Sequence, residues 1–181
     1  MSPYIFTTAR LGFRNWVSSD IDTLSNINQD DDVMEFFPFK PSRKDTEDFI
    51  VRMQTLYTEK QFCYFAVDTL EHKECIGFIG LCEQNYLNEI GNFVDIGWRL
   101  KKSSWYKGYA TEGAKACLDY AFNQLQLETI YSVAPVINQK SESVMKKIGM
   151  TRIKTFDHPK LTEYENLRSC VLYQYLKPNK S

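Results

Sequence analysis

Residues 93 to 122 change their hydrophobic period abruptly, and a glycine stands at the change. Up to residue 101, apolar and polar side chains alternate, which predicts a strand with one buried face, formed by Val94, Ile96, Trp98 and Leu100. From residue 110 onward, small and apolar residues recur at steps of three and four, as in an amphipathic helix. A helix that opens after a glycine turn leaves main-chain N–H groups unpaired at the positive end of its dipole. We therefore expect the turn around Gly108 to bind a phosphate group.

The composition is that of one ordinary globular domain. The chain has 181 residues, of which 43% are apolar and 25% charged, and no repeat, low-complexity tract or linker divides it. We therefore expect a single domain over residues 1 to 181. The net charge of −1 argues against a nucleic-acid-binding surface. A local basic group nevertheless lies beside the predicted phosphate site, and it comprises Arg99, Lys101, Lys102 and Lys107.

The cysteines and the N-terminal residues predict a cytoplasmic protein without a metal. The five cysteines are odd in number, lie far apart and form no C-x-x-C pair, so we interpret them as reduced core residues. No segment approaches the length of a membrane span, and the N-terminal residues lack the pattern of a signal peptide. Residues 30 to 32 are all aspartate, but three adjacent carboxylates cannot all turn toward one ion, so we expect a solvated helix end or loop there.

The remaining segments predict six further strands and three further helices. Strands are expected at 10–14, 61–70, 75–82, 127–136, 151–156 and 169–176, and helices after residue 20, at 45–57 and from residue 138. Both histidines, His72 and His158, fall in polar turns, so no Ser-His-Asp or Cys-His group can be assembled. Phe36 and Phe37 belong to a loop of aromatic residues that either closes the core or forms an apolar wall for a substrate.

Two motifs in the second half of the chain stand in a fixed order. The first is DIGWRL followed by WYKGYATEG, and the second is Asn138-x-x-Ser141 followed by KIGM at 147–150. Together they resemble the two signatures of the GNAT N-acetyltransferase superfamily, especially its Rim-type ribosomal-protein N-terminal acetyltransferases, over about residues 8 to 176. The resemblance implies the GNAT fold, a mixed α/β architecture with a twisted, mainly antiparallel sheet of about seven strands. Helices would flank this sheet, and acetyl-CoA would split it at its central strands.

The resemblance also implies how acetyl-CoA, as cosubstrate, would bind. Its diphosphate would accept hydrogen bonds from the main-chain N–H groups of the turn, with help from the Lys107 side chain; the turn residues are Tyr106, Lys107, Gly108, Tyr109, Ala110 and Thr111. Its pantetheine amides would pair with the main chain of Ile96, Trp98 and Leu100 along an open strand edge, where Gly97 leaves room for the approach. Asn138 would hydrogen-bond the arm from the other side.

Acetyl transfer to an amine needs an uncharged acceptor held against the thioester, and it needs no covalent enzyme intermediate. Asp95 or a water molecule is the candidate base, and burial would have to raise the pKa of Asp95 for it to serve. Many relatives place a proton-donating tyrosine where this chain has Met145. We therefore take Ser141 as the candidate donor to the departing thiolate. Two smaller departures from the family pattern are Tyr106 in place of glycine and Gly113 in place of alanine.

The absence of a strong base favours an acceptor of low pKa. At pH 7 an α-amine is neutralised for about 1 kcal/mol, whereas a lysine side chain requires over about 4 kcal/mol. Our main hypothesis is therefore transfer to a protein N-terminus or a small amine. The alternatives are an enzyme acting on an antibiotic, a polyamine or an amino-acid derivative, a non-catalytic acyl-CoA sensor and, last, a nucleotide-binding loop, although the chain lacks G-x-G-x-x-G and a G-K-[ST] ending. Monomer and homodimer both stay open.

Overall fold

A computed structural model describes residues 3 to 178 as an eight-stranded sheet with helices packed on its faces. The strands are β1 (Phe6–Thr7), β2 (Leu11–Arg14), β3 (Tyr64–Thr69), β4 (Glu74–Gln84), β5 (Phe93–Leu100), β6 (Thr129–Pro135), β7 (Thr151–Asp157) and β8 (Ser169–Leu176). The helices are α1 (Asp20–Gln29), α2 (Asp31–Met34), α3 (Arg43–Lys60), α4 (Tyr109–Asp119), α5 (Gln139–Lys147) and α6 (Glu165–Arg168). The expected mixed α/β class is confirmed, and a two-residue edge strand, β1, brings the expected seven strands to eight.

The strands lie in the order β1-β2-β3-β4-β5-β6-β8-β7, and all neighbours are antiparallel except β5 and β6. That parallel pair is joined at a single register position, Asp95 opposite Tyr131. Beyond this point the two strands diverge, so the C-terminal half of β5 has a strand neighbour on one side only. The sheet is therefore open in its interior, between β5 and β6.

Strand β5 is buried on both faces, which corrects the expectation of one buried face. The residues opposite it on β4 include Ile79, whose side chain would lie 2.4 Å from a Cβ placed on Gly113 of α4. On the other face, Arg99 bonds Asn28 of α1, and Asp95, which was expected to face solvent, is only 8% exposed. A strand in the middle of a sheet covered by helices on both sides has no solvent-facing residues to reveal its direction.

Local signals in the sequence account for several element ends. Ser42 and Asp45 form a reciprocal capping box at the start of α3, and Asn138 caps α5 by accepting from the N–H of Ser141 at 3.1 Å. Asp30 caps the short helix α2 by accepting from the main-chain N–H groups of Asp32 and Val33. The acidic triplet therefore lies at a helix end, which is one of the two expected alternatives. Helix α4 continues into one π-helical turn over Tyr120–Gln124.

All five cysteines are free thiols, and four of them are buried, as expected from their apolar surroundings. Across residues 3 to 178, no helix is both long and apolar enough to cross a lipid bilayer.

Candidate active site

A cleft of about 510 Å³ opens where β5 and β6 diverge, and it reaches both faces of the sheet. Eight of the residues singled out in the sequence line it, namely Phe36, Phe37, Asp95, Ile96, Gly97, Trp98, Asn138 and Ser141. Met145, at the position where many relatives carry a tyrosine, also lines it and is 1% exposed. Leu100 and the turn residues 106 to 111 lie outside this lining, at the end of β5 and the start of α4. Neither histidine reaches it.

The turn before α4 presents a row of main-chain donors. The first hydrogen bond of the helix runs from the N–H of Glu112 to the carbonyl of Gly108, at 3.0 Å. Within the described part of the chain, no group accepts from the main-chain N–H groups of residues 106 to 111. Gly108 has φ = 80°, a left-handed conformation that favours glycine. These donors point out of the N-terminus of α4, where the helix dipole favours an anion.

Tyr106, which stands where the family pattern has glycine, adopts a left-handed backbone conformation. Its φ of 59° is left-handed, and its side chain is 88% exposed, so the ring makes no demand on the turn. A non-glycine residue in this conformation places backbone strain of about 1 kcal/mol in the turn.

Two residues that the sequence analysis did not single out hold this turn in place. Arg10, in the turn between β1 and β2, donates from Nη1 to the carbonyl of Lys107 at 3.0 Å and from Nε to Glu112 at 2.7 Å. Glu112 also accepts from the hydroxyl of Thr8 at 2.6 Å. The guanidinium of Arg10 lies 4.7 Å from the centre of the Tyr109 ring. No local pattern could indicate this contact, because about a hundred residues separate the partners.

The edge of β5 that faces the divergence is partly capped by side chains. The carbonyl of Ile96 accepts from the hydroxyl of Ser132 at 3.0 Å, and the carbonyl of Leu100 accepts from the indole N–H of Trp105 at 2.8 Å. Because alternate residues of a strand direct their main-chain groups to the same edge, Trp98 directs its own N–H and carbonyl into the gap. A Cβ on Gly97 would lie 3.2 Å from the ring of Tyr64, so the missing side chain makes room for that tyrosine.

Asp95 has the protonation behaviour that a base working near neutral pH requires. Its carboxylate is buried, and burial raises its pKa to about 7, although hydrogen bonds from Tyr64 and Gln84 oppose the rise. The phenol of Tyr64 donates to Oδ1 of Asp95 at 2.6 Å. That phenol is itself buried, and its pKa is raised by burial first and then by the charge of Asp95, so it remains a donor.

Ser141 and Asn138 stand together at the start of α5, on the wall of the cleft formed by the end of β6 and that helix. Asn138 uses its carbonyl oxygen as the helix cap, which leaves its NH₂ group to donate. Ser141 projects from the first turn of α5 and is partly buried. Met145, one turn further on, offers no exchangeable proton, so Ser141 is the residue of this helix that brings a hydroxyl to the cleft lining.

The four basic side chains predicted to lie beside the phosphate site do not all point toward it. Lys101 pairs with Glu74 and Lys102 with Asp32, while Arg99 points to the opposite face of β5, away from α4 and toward α1. Of the four, Lys107 remains beside the turn, and it has no carboxylate partner within 4 Å in the described chain. Residues 3 to 178 also bring together no group of three metal-binding side chains.

Comparison with known proteins agrees with this geometry. Residues 10 to 151 match the acetyltransferase (GNAT) domain family. An uncharacterized N-acetyltransferase of Bacillus subtilis, YnaD, is 32% identical over 148 residues, which cover 81% of this chain and 82% of the relative. A GNAT-family acetyltransferase structure from Bacillus anthracis superimposes with a TM-score of 0.77 at 26% identity, over 94% of this chain and 97% of its own.

The fold is also shared with RimL, a ribosomal-protein α-N-acetyltransferase solved in complex with coenzyme A. The TM-score is 0.77 at 16% identity, and the match covers 95% of this chain and 97% of that one. The family match spans well over half of residues 1 to 181, and it includes the strand, the turn and the capped helix described above. This chain is a member of the GNAT family of acetyltransferases.

Proposed function

We propose that the protein transfers an acetyl group from acetyl-CoA to a primary amine, and that the acceptor is a protein N-terminus or a small amine. The observation that carries the proposal is the loss of the β6 partner along β5 beyond Asp95. This leaves a strand edge open to an extended molecule beside a buried carboxylate that titrates near neutral pH.

The residues present fit two parts of acetyl-CoA, its diphosphate and its pantetheine arm. The free N–H groups of residues 106 to 111, together with Lys107 and the nearby guanidinium of Arg10, suit a diphosphate. The edge of β5 at Trp98 and the free NH₂ of Asn138 suit the two amides of the pantetheine arm, each of which needs a partner. When bound, acetyl-CoA would supply an activated thioester carbonyl to the cleft.

The chain's own groups account for the proton movements. Asp95 would hold the proton that the acceptor's ammonium group gives up, either directly or through a water molecule, because its pKa of about 7 lies near that of an α-amine. Ser141 Oγ would donate to the departing sulfur, and a weak donor suffices there because thiols ionise near pH 8.5. Phe36 and Phe37 would form the apolar wall on the acceptor side of the cleft.

We further propose that the chain works as one domain in a reducing compartment such as the cytoplasm. A single continuous sheet runs through the described residues, and none of the five thiols is paired. Neither observation bears on the number of subunits.

Calorimetry and thiol release test the proposal in two steps. Titration with CoA and with acetyl-CoA should show saturable binding, and a panel of peptides and small amines should release free thiol with at least one acceptor. Failure to bind either form of CoA would overturn the proposal, and binding without thiol release for any acceptor would favour a sensor. At pH 7, comparable turnover on a free lysine side chain and on a matched peptide N-terminus would remove the preference for an α-amine.

A pair of charge reversals tests the position of the diphosphate. Lys107→Glu should weaken CoA binding tenfold or more, whereas Lys115→Glu, an exposed change two turns along α4, should leave it unchanged. Acetyl-pantetheine, which lacks the diphosphate, should bind both variants alike. Equal losses for CoA and acetyl-pantetheine would place the diphosphate elsewhere.

A further inference from the structure

Arg99 reaches the cleft from β5 on the same face as Asp95, toward α1 and α3. Its Nη1 donates to the side-chain carbonyl of Asn28 at 2.7 Å. The guanidinium lies 4.1 Å from the centre of the Phe37 ring and 5.4 Å from that of Phe78. These contacts hold the guanidinium of Arg99 on the acceptor side of the cleft. This side lies on the face of the sheet opposite the one that carries α4.

The charge of Arg99 has no counter-ion in the described chain. No carboxylate oxygen lies within 4 Å of its guanidinium, and its Nε is buried without a hydrogen-bond partner among those residues. Burial lowers its pKa to about 10, so the group is still protonated at neutral pH. An uncompensated cation in a protein interior is costly unless a ligand completes it.

The carboxylates around the same cleft are already engaged. Asp45 bonds Ser42 in the helix cap, Asp48 pairs with Lys44, and Asp95 accepts from Tyr64. A second arginine of the lining, Arg52, is exposed and likewise lacks a carboxylate within 4 Å in the described chain. None of these three carboxylates therefore pairs with Arg99 or Arg52.

We propose that the acceptor carries a carboxylate that pairs with Arg99, so that the enzyme selects amines on acidic molecules. The proposal rests on the acetyl transfer inferred above. Because Nη1 already donates to Asn28 and Nε is buried, the carboxylate would accept a charge-assisted hydrogen bond from the other terminal nitrogen, Nη2. A polyamine, which carries only positive charge, would be repelled from the same place.

The spacing along β5 indicates where on the acceptor this carboxylate lies. Asp95 and Arg99 are four residues apart on one strand, which separates their Cα atoms by about 13 Å. With the guanidinium held at Asn28 and Phe37, we take the carboxylate to stand several bonds away from an amine bound near Asp95. An acidic side chain close to a peptide N-terminus meets this requirement, whereas the α-carboxylate of a free amino acid lies too close to its amine.

Matched acceptors test the proposal on the unaltered protein. Two short peptides with amidated C-termini, one with Glu and one with Gln at the second position, should differ at least tenfold in kcat/KM for thiol release, in favour of Glu. Free glutamate and glutamine form a second pair that separates a side-chain carboxylate from an α-carboxylate. Equal rates within the peptide pair, or a preference for Gln, would overturn the inference and leave acetyl transfer standing. No thiol release with any amine would overturn both.

Substitutions of Arg99 test whether this residue causes the preference for the Glu peptide. Arg99→Gln should abolish the difference in kcat/KM between the Glu and Gln peptides, while Arg99→Lys should retain part of that difference. Arg168→Gln, an exposed change paired to Asp157 outside the cleft, is the matched control. Melting temperature and acetyl-CoA affinity show whether each variant is folded. If Arg99→Gln does not fold, the comparison of the two peptides on the unaltered protein still decides whether the enzyme prefers an acidic acceptor. A folded Arg99→Gln that keeps the preference for the Glu peptide would contradict the assignment to Arg99.

Discussion

The phenol of Tyr64 donates a 2.6 Å hydrogen bond to Oδ1 of Asp95 across the pair of strands β3 and β5, with β4 between them. The bond opposes the effect of burial, because it stabilises the charged form of the carboxylate. The balance sets the pKa of Asp95 at about 7, near that of the amine it is proposed to deprotonate.

We expect Asp95→Asn to lower kcat/KM by roughly 100-fold or more, because general-base assistance of this kind contributes that much. In the unaltered protein, kcat/KM should fall as the pH drops through about 7, since the carboxylate must be ionised. The ionisation of the acceptor amine affects the unaltered protein and Asp95→Asn alike. The difference between their pH profiles, measured by thiol release, therefore reports the ionisation of Asp95. Identical profiles would leave water as the base.

Tyr64→Phe should move the acidic limb of that profile to higher pH. Without the phenol, the hydrogen bond that lowers the pKa of Asp95 is lost while burial remains, so the pKa rises. The ring would keep its stacking on Phe78, at 5.1 Å between centroids. Tyr120→Phe, which removes a phenol bonded to the carbonyl of Gln61 outside the cleft, should leave the limb in place. A shift toward lower pH would contradict this account.

The same carboxylate should reduce stability at and above neutral pH. The native pKa of about 7 exceeds the ordinary value of 3.8, so the native state holds a proton that the unfolded chain releases between these values. Stability is therefore highest below pH 4 as far as this group is concerned, and on the order of 4 kcal/mol is lost as the pH rises through 7.

At pH 8, Asp95→Asn should consequently raise the melting temperature by roughly 8 to 16 °C while activity falls. At pH 4 the two proteins should melt together. Glu163→Gln, an exposed change, is the control and should alter neither value. Destabilisation by Asp95→Asn at pH 8 would contradict the raised pKa.

Ser141→Ala should lower kcat roughly 10- to 100-fold with little change in the affinity for acetyl-CoA, because the hydroxyl is proposed to act on the departing sulfur. Ser143→Ala, on the same helix but outside the cleft lining, should change neither value. Single-turnover thiol release together with calorimetry measures the two quantities. An unchanged kcat would remove Ser141 from the mechanism.

Gly113→Ala should destabilise the protein by about 1 to 3 kcal/mol through overpacking. The new Cβ would meet Cδ1 of Ile79 at 2.4 Å and Cζ of Phe13 at 3.1 Å in the core. This packing explains why the chain has glycine where relatives carry alanine. Adding Ile79→Val removes the offending atom, so in urea denaturation the double variant should lose less stability than the sum of the two single changes. Simple additivity would contradict the proposed clash.

The sequence predicted the elements that are encoded by neighbouring residues. The strand before Gly108, the helix after it and the Asn138 cap each follow from residues within one or two turns of the chain. The burial of Asp95 and the orientation of Arg99 did not follow, because alternation suggested a solvated face where helices in fact cover the strand. Tyr64 could not be found either, since it meets Asp95 from a strand that is not its neighbour and lies 31 residues earlier.

The two edge strands of the sheet are less suited to pairing with another molecule than the opening between β5 and β6. One margin is the two-residue strand β1, and the other, β7, carries Arg152 and Lys154 along mostly exposed positions. Short or charged margins discourage strand addition by another molecule. The rest of the fold holds β6 away from β5, which leaves the backbone of β5 beyond Asp95 without a strand partner on that side. Only a narrow, extended ligand can enter between β5 and β6 and pair with this backbone. The sheet can therefore bind such a ligand in its interior while its outer edges discourage aggregation.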